Sequence, residues 1–135
     1  SDVCSSDLFI EDDEGFYNIF SVPLKMKGYE VVHVSDGAQG VESAVSQQPD
    51  VILLDIILPG TSGLDILKEL KEREETKNIK VVMLTNFGSD ENVNKAMEYG
   101  ADDYFMKYNV VPSELPDKIA GYLGEAQTGA ISVTA

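Results

Sequence analysis

Two adjacent acids, Glu11 and Asp12, follow the apolar run Leu8-Phe9-Ile10, and a third, Asp55, follows Val51-Ile52-Leu53-Leu54. Thr85 closes the run Lys80-Val81-Val82-Met83-Leu84, and Lys107 comes just after a fifth strand-like stretch at about 103–106. Aspartate is a poor strand residue, so an acid at the end of an apolar run marks the opening of a loop. Singly, each of these groups reads equally well as a turn acid or a surface lysine. Together they do more. Carboxylates about 5 Å apart repel by roughly 3 kcal/mol at an effective dielectric near 20. Three of them take up protons or bind a cation, and hard oxygen ligands in this number favour Mg²⁺ with several retained waters. A bound metal lets a phosphoryl group approach an acidic site, and a carboxylate is a competent nucleophile for an aspartyl phosphate. The Lys107 ammonium and the Thr85 hydroxyl each suit a phosphoryl oxygen.

That chemistry requires a scaffold that gathers five dispersed residues. Leu8-Phe9-Ile10 reads as a short first strand. A first helix to about Lys27 should bury Phe16, Ile19, Phe20 and Leu24, with a kink or early end at Pro23 and a stop at Gly28. Val31-Val32-His33-Val34 is the second strand. The second helix, about 37–47, should bury Ala38, Val41, Ala44 and Val45. The apolar run at 51–54 suits a strand covered on both faces. Ser62 or Thr61 caps a third helix with Leu64, Leu67 and Leu70 inward. Residues 80–85 form the fourth strand. Ser89 caps a fourth helix carrying Val93, Ala96 and Met97 inward, which Gly100 ends. After the fifth strand, Ser113 caps a fifth helix with Pro116 in its first turn and Leu115, Ile119, Tyr122 and Leu123 as its buried stripe.

Five strands alternating with five helices imply an α/β, doubly wound parallel sheet. In a flavodoxin-like (βα)5 arrangement of order 2-1-3-4-5, strands one and three lie side by side at the switch point, where ligands bind beyond the carboxyl ends. The acids then share one rim with Thr85 and Lys107. Residues 1–7 read as a non-native-looking or disordered stretch, the string SDVCSSDL resembling translated sequencing-adapter sequence. Residues 8–124 form the domain, and 125–135 form a tail or linker remnant without room for an output domain.

Ten Lys and Arg against 24 Asp and Glu give a formal net charge of −14, which disfavours direct contact with nucleic acid or an anionic membrane. The same charge suits a divalent cation or a basic protein surface. No apolar run reaches membrane-spanning length, no signal peptide opens the chain, and the lone Cys4 supports no internal disulfide framework, so the cytoplasm is the expected compartment. His33 alone makes no metal or phosphotransfer motif.

Over roughly residues 8–124 the sequence resembles the receiver domain of two-component response regulators, of the single-domain chemotaxis type. The likeness rests on Ile10-Glu11-Asp12-Asp13, on Asp55 with Leu58-Pro59-Gly60 and Gly63, on Leu84-Thr85, and on Gly100-Ala101-Asp102-Asp103-Tyr104 with Lys107. The resemblance implies that Asp55 accepts a phosphoryl group from a histidine kinase or phosphotransfer protein. It implies that Glu11, Asp12, Asp55 and the backbone carbonyl of Ile57 hold Mg²⁺, and that Thr85 and Lys107 contact the attached phosphoryl group. Thr85 and Tyr104 would form the switch. The fourth-helix, fifth-strand and fifth-helix surface would then repack to address a downstream protein, or to pair in a phosphorylation-dependent dimer. Such a domain assists only its own phosphorylation and dephosphorylation.

Three residues depart from the receiver pattern. Tyr108 stands where receivers carry proline after the lysine, so a trans Lys107–Tyr108 bond is expected. Asn86 follows Thr85 where a smaller residue is usual, and Ile57 is apolar where a side chain can position the hydrolytic water. Slow self-dephosphorylation follows as an expectation. A flavin carrier of the same strand order is disfavoured by Glu11-Asp12-Asp13-Glu14 where a phosphate-binding loop would be needed. A phosphatase with an aspartyl nucleophile is disfavoured by Ile57, where a second acid is needed. The rival that stays open is a pseudo-receiver that binds partners without being phosphorylated.

Overall fold

The computed structural model describes residues 6–123, with the backbone alone at Leu123. What the sequence suggests for residues 1–5, for 124–135 and for the Leu123 side chain lies outside the described residues. The chain runs β1 (Ser6–Ile10), α1 (Glu14–Met26), β2 (Glu30–Val34), α2 (Gly37–Gln47), β3 (Val51–Leu54), a two-residue hairpin β4 (Ile57–Leu58) and β5 (Thr61–Ser62), α3 (Gly63–Glu72), β6 (Lys80–Thr85), α4 (Asp90–Glu98), β7 (Asp103–Met106) and α5 (Leu115–Leu123). The main sheet is parallel in the order β2-β1-β3-β6-β7. With the hairpin set aside, this is the expected 2-1-3-4-5 order.

Alternate strand residues face opposite sides of the sheet, and the core divides accordingly. Leu8, Ile10, Ile52, Leu54, Val81 and Met83 pack with Val41 and Ala44 of α2, Leu67 and Leu70 of α3 and Ala96 of α4. Phe9, Val51, Leu53, Val82 and Leu84 pack on the other side with Tyr17, Phe20 and Leu24 of α1 and Leu115 and Ile119 of α5. Among the described residues no helix is long and apolar enough to cross a membrane.

Several local expectations are corrected. β1 begins at Ser6, not Leu8, and Asp7 is fully buried where the strand pairs with Val31 and Val51. Parallel pairing on both sides extends the strand past its apolar run. In α1, Ile19 is 58% exposed and Tyr17 is buried instead. This helix is apolar on nearly every side, so its spacing admits two stripes, and Tyr17, Phe20, Ser21 and Leu24 form the one that faces the sheet. Pro23 does not end the helix early, since α1 runs on to Met26. Ile19 and Val22 are exposed here, so water is at hand for the carbonyl that Pro23 leaves without a donor.

In α2, Ala38 is exposed and Gly40 faces inward, because the helix lies against β1 so closely that a Cβ at Gly40 would sit 2.5 Å from Ile10 Cδ1. In α4 only Ala96 is buried, and Met97 is exposed. Ser113 does not cap α5; it lies inside a single 3₁₀ turn, Pro112–Glu114, that leads directly into the helix. The expected caps of α3 and α4 are present. Ser62 accepts from the Leu64 N–H, and Ser89 from the Asn92 N–H.

Candidate functional site

β1 and β3 are neighbours and end level with each other, the pair Ile10 and Leu54 being the last in register. The next residues are therefore thrown over one rim: Glu11 and Asp12 from the first strand, Asp55 from the second. Ligand oxygens of these three acids lie within 4.8 Å of one another. Glu11 is fully buried, Asp55 nearly so, and Asp12 is exposed, so the cluster opens to solvent on the Asp12 side. Gly63 makes room behind it. Its N–H donates to the Ile56 carbonyl at 2.6 Å, and a Cβ there would fall 1.9 Å from the Asp55 carbonyl oxygen.

Lys107, delivered by the end of β7, spans the two buried acids. Its Nζ is 3.0 Å from Asp55 Oδ2 and 3.0 Å from Glu11 Oε1. The Lys107–Tyr108 bond is trans, as expected, and this does not keep the ammonium out of the pocket. The other Glu11 oxygen accepts the Asp13 N–H at 3.0 Å. Thr85, fully buried, closes β6 beside β3, and its Oγ1 accepts the Phe87 N–H at 3.2 Å. Tyr104 packs at the margin of the α2–α3–α4 core and donates its hydroxyl to the Phe87 carbonyl. Ile57 donates its N–H to Asp55 Oδ1 at 3.4 Å, and its side chain is 51% exposed.

The electrostatics follow from that crowding. Burial first, and then the charge of Asp55, push the Glu11 carboxyl up from an ordinary 4.5 to about 7, against the opposing pull of Lys107 and the Asp13 N–H. Burial alone would lower the Lys107 ammonium, but its hydrogen bonds to Asp55 and Glu11 outweigh that and hold it above the ordinary lysine value. Burial, followed by the Asp55 charge, raises the Tyr104 phenol to about 12. Tyr104 is thus within electrostatic reach of Asp55. Two acids and one ammonium leave the pocket with excess negative charge, and a third acid stands at its mouth. This donor set fits a small hard cation with part of its water shell.

Three supporting residues were not legible as such from the sequence. Asp13 caps α1 by accepting the Phe16 N–H at 3.0 Å, a role that its position three residues before Phe16 could have signalled. His33 donates from Nε2 to the Glu11 carbonyl at 2.7 Å and stacks on Tyr17 at 3.9 Å between ring centroids. Phe16, read as a core residue, lies only 4.1 Å in centroid distance from Lys107 Nζ. No sequence pattern announces the last two.

A family model described as the response regulator receiver domain matches residues 8–120. The chain is 36% identical over 122 residues to the phosphate regulon transcriptional regulatory protein PhoB of Pseudomonas aeruginosa, with 90% of this chain and 53% of PhoB covered. It is 33% identical over 119 residues to the polar-differentiation response regulator DivK of Brucella ovis, with 88% of this chain and 96% of DivK covered. The chain thus spans about half the length of PhoB and nearly all of DivK. Among solved structures it superposes on the receiver domain of the sensor histidine kinase PA1611 of Pseudomonas aeruginosa, which has a magnesium ion coordinated in its active-site cleft. The TM-score is 0.81 at 27% identity, with 90% of this chain and 99% of that one covered.

Proposed function

The chain belongs to the response regulator receiver family of two-component systems, and from that premise we propose that Asp55 is its phosphoacceptor in a Mg²⁺-dependent phosphorelay. The observation that supports this most directly is Lys107 bridging Asp55 and Glu11 inside the three-acid cluster. Glu11, Asp12, Asp55 and the backbone carbonyl of Ile57 would hold the ion. When bound, Mg²⁺ offsets the acidic charge and lets the phosphoryl group approach.

The chain's own residues supply the remaining steps. An Asp55 oxygen attacks phosphorus, and the bond to the donor, a phosphohistidine of a kinase or phosphotransfer protein, breaks with its electron pair leaving on the imidazole. Lys107 shifts from the Asp55 carboxylate to a phosphoryl oxygen, keeping a charge-assisted hydrogen bond throughout. Thr85 turns its hydroxyl from the Phe87 N–H toward the same group. That withdrawal frees the loop on which the Phe87 carbonyl holds the Tyr104 hydroxyl, and Tyr104 with the α4–β7–α5 surface repacks toward a downstream protein. The domain assists its own phosphorylation and dephosphorylation and works in the cytoplasm. Its net charge of −14 favours a basic protein surface as partner over nucleic acid or membrane.

The test is direct. The protein is incubated with Mg²⁺ and acetyl phosphate and weighed intact beside Asp55→Ala. A gain of one phosphoryl group in the wild type alone is expected. No gain in either protein would favour the pseudo-receiver, a module that binds partners unphosphorylated.

A further inference from the structure

The ammonium of Lys107 has a third neighbour besides its two acids. Its Nζ stands 4.1 Å from the centroid of the Phe16 ring while contacting Asp55 and Glu11 at 3.0 Å each. An ammonium has three N–H donors, so two carboxylates and one aromatic face account for all three directions. The Lys107 side chain is 10% exposed, which makes the attraction to the ring stronger than it would be in water.

The ring is itself well held. Phe16 stacks on Phe20 at 4.2 Å and 28°, and meets Phe9 edge to face at 6.1 Å and 85°. Its N–H is fixed by the Asp13 cap at the start of α1. Lys107, in contrast, is followed by Tyr108, which is 72% exposed and gives the backbone no proline constraint. Besides its two acids, the contact that the ammonium makes is therefore a firmly packed ring on α1.

We propose that Phe16 is a positioning residue for Lys107, holding the ammonium over the pocket while its hydrogen bond passes from the Asp55 carboxylate to the phosphoryl group. This role rests on Asp55 being the phosphoacceptor. The aromatic face neither donates nor accepts a proton in the reaction. It keeps one side of the ammonium satisfied, so that the lysine does not turn to water when its contact with Asp55 is exchanged.

The experiment compares wild type, Phe16→Leu, Phe16→Met and Phe16→Tyr in two measurements. The first is the rate of phosphorylation by acetyl phosphate with Mg²⁺, read by intact mass. The second is the NMR chemical shift of the Lys107 Cε protons without donor or metal, which the ring current of Phe16 should move upfield. Loss of the ring should slow phosphorylation by about three- to thirty-fold and return the Cε protons to the ordinary lysine position. Phe16→Tyr keeps the ring and should retain both properties. Methionine fills the space without a ring, so Phe16→Met serves if Phe16→Leu melts too low to assay. Equal rates in the Tyr and Met proteins, or an unshifted Lys107 in the wild type, would overturn the role of Phe16. A wild type that gains no phosphoryl group would instead overturn the phosphoacceptor reading, and this role with it.

Discussion

Lys107 and Asp55 stand 52 positions apart in the chain, yet Lys107 Nζ donates to Asp55 Oδ2 at 3.0 Å, with Glu11 Oε1 equally close on its other side. One ammonium thus keeps two buried acids from facing each other unscreened.

Removing that ammonium should expose the conflict. In Lys107→Ala the incoming phosphoryl group loses a charge-assisted hydrogen bond, and Asp55 and Glu11 lose their shared counter-charge. Phosphorylation by acetyl phosphate should slow about tenfold or more, equivalent to roughly 1.4 kcal/mol in the barrier. An intact-mass time course measures it, and an unchanged rate would remove Lys107 from the mechanism.

The Glu11 carboxyl makes the metal-free protein sensitive to pH. Its folded value of about 7 lies above the ordinary 4.5, so the protonated form favours folding. That contribution is complete below about pH 4.5 and is lost as pH rises through 7. Without Mg²⁺, Glu11→Gln should therefore lose less stability than wild type between pH 5 and 8. Mg²⁺ needs the ionised acid, so its stabilisation of the wild type should be larger at pH 8 than at pH 5. Denaturant melts with and without the ion check both; the same Mg²⁺ effect at the two pH values would count against Glu11 as a ligand.

Gly63 should tolerate no side chain. A Cβ placed 1.9 Å from the Asp55 carbonyl oxygen displaces either α3 or the acid itself. Gly63→Ala should cost about 1–3 kcal/mol of stability, and Mg²⁺ affinity should fall with it. Calorimetry of unfolding and a Mg²⁺ titration would show both losses. Wild-type affinity would mean that α3 yields and Asp55 keeps its place.

Two tyrosines, Tyr104 on β7 and Tyr122 on α5, predict alkaline weakness. Burial raises Tyr104 to about 12, and burial together with a hydrogen bond to Asp103 raises Tyr122 beyond the ordinary range. Both raised values mean that the neutral phenol favours folding. Stability from this source is full below about pH 10 and drains away as pH climbs through the folded values. Tm measured from pH 9 to 12 should drop, and less so in the Tyr104→Phe, Tyr122→Phe double variant. Parallel curves would refute it.

The sequence disclosed the sheet and its order because buried parallel strands leave apolar runs, and a helix lies between each pair. The acids were legible for the same reason, Glu11 and Asp55 being the first polar residues after such runs and Asp12 the next in line. What stayed hidden depends on a choice among several apolar faces or on contacts across the sheet's edge. Ile19 and Tyr17 compete for one stripe on a helix apolar nearly all round, and only docking decides it. Phe16 is as apolar as any core residue, and nothing local shows that a lysine from the far end of the domain comes to lie over it. The start of β1 at Ser6 is not legible because neighbouring strands hold it extended, β2 from Ser6 and β3 from Asp7, and its own composition does not.

The order of strands has a mechanical consequence. The acids hang from β1 and β3, each gripped by a strand on both flanks, while Lys107 hangs from β7, whose one strand neighbour is β6. The half of the pocket that grasps is bolted to the middle of the sheet, and the half that answers rides on its free margin. Under the proposed phosphorylation the outer strand, flanked on one side alone, is therefore the part that should swing, like a door on a fixed post.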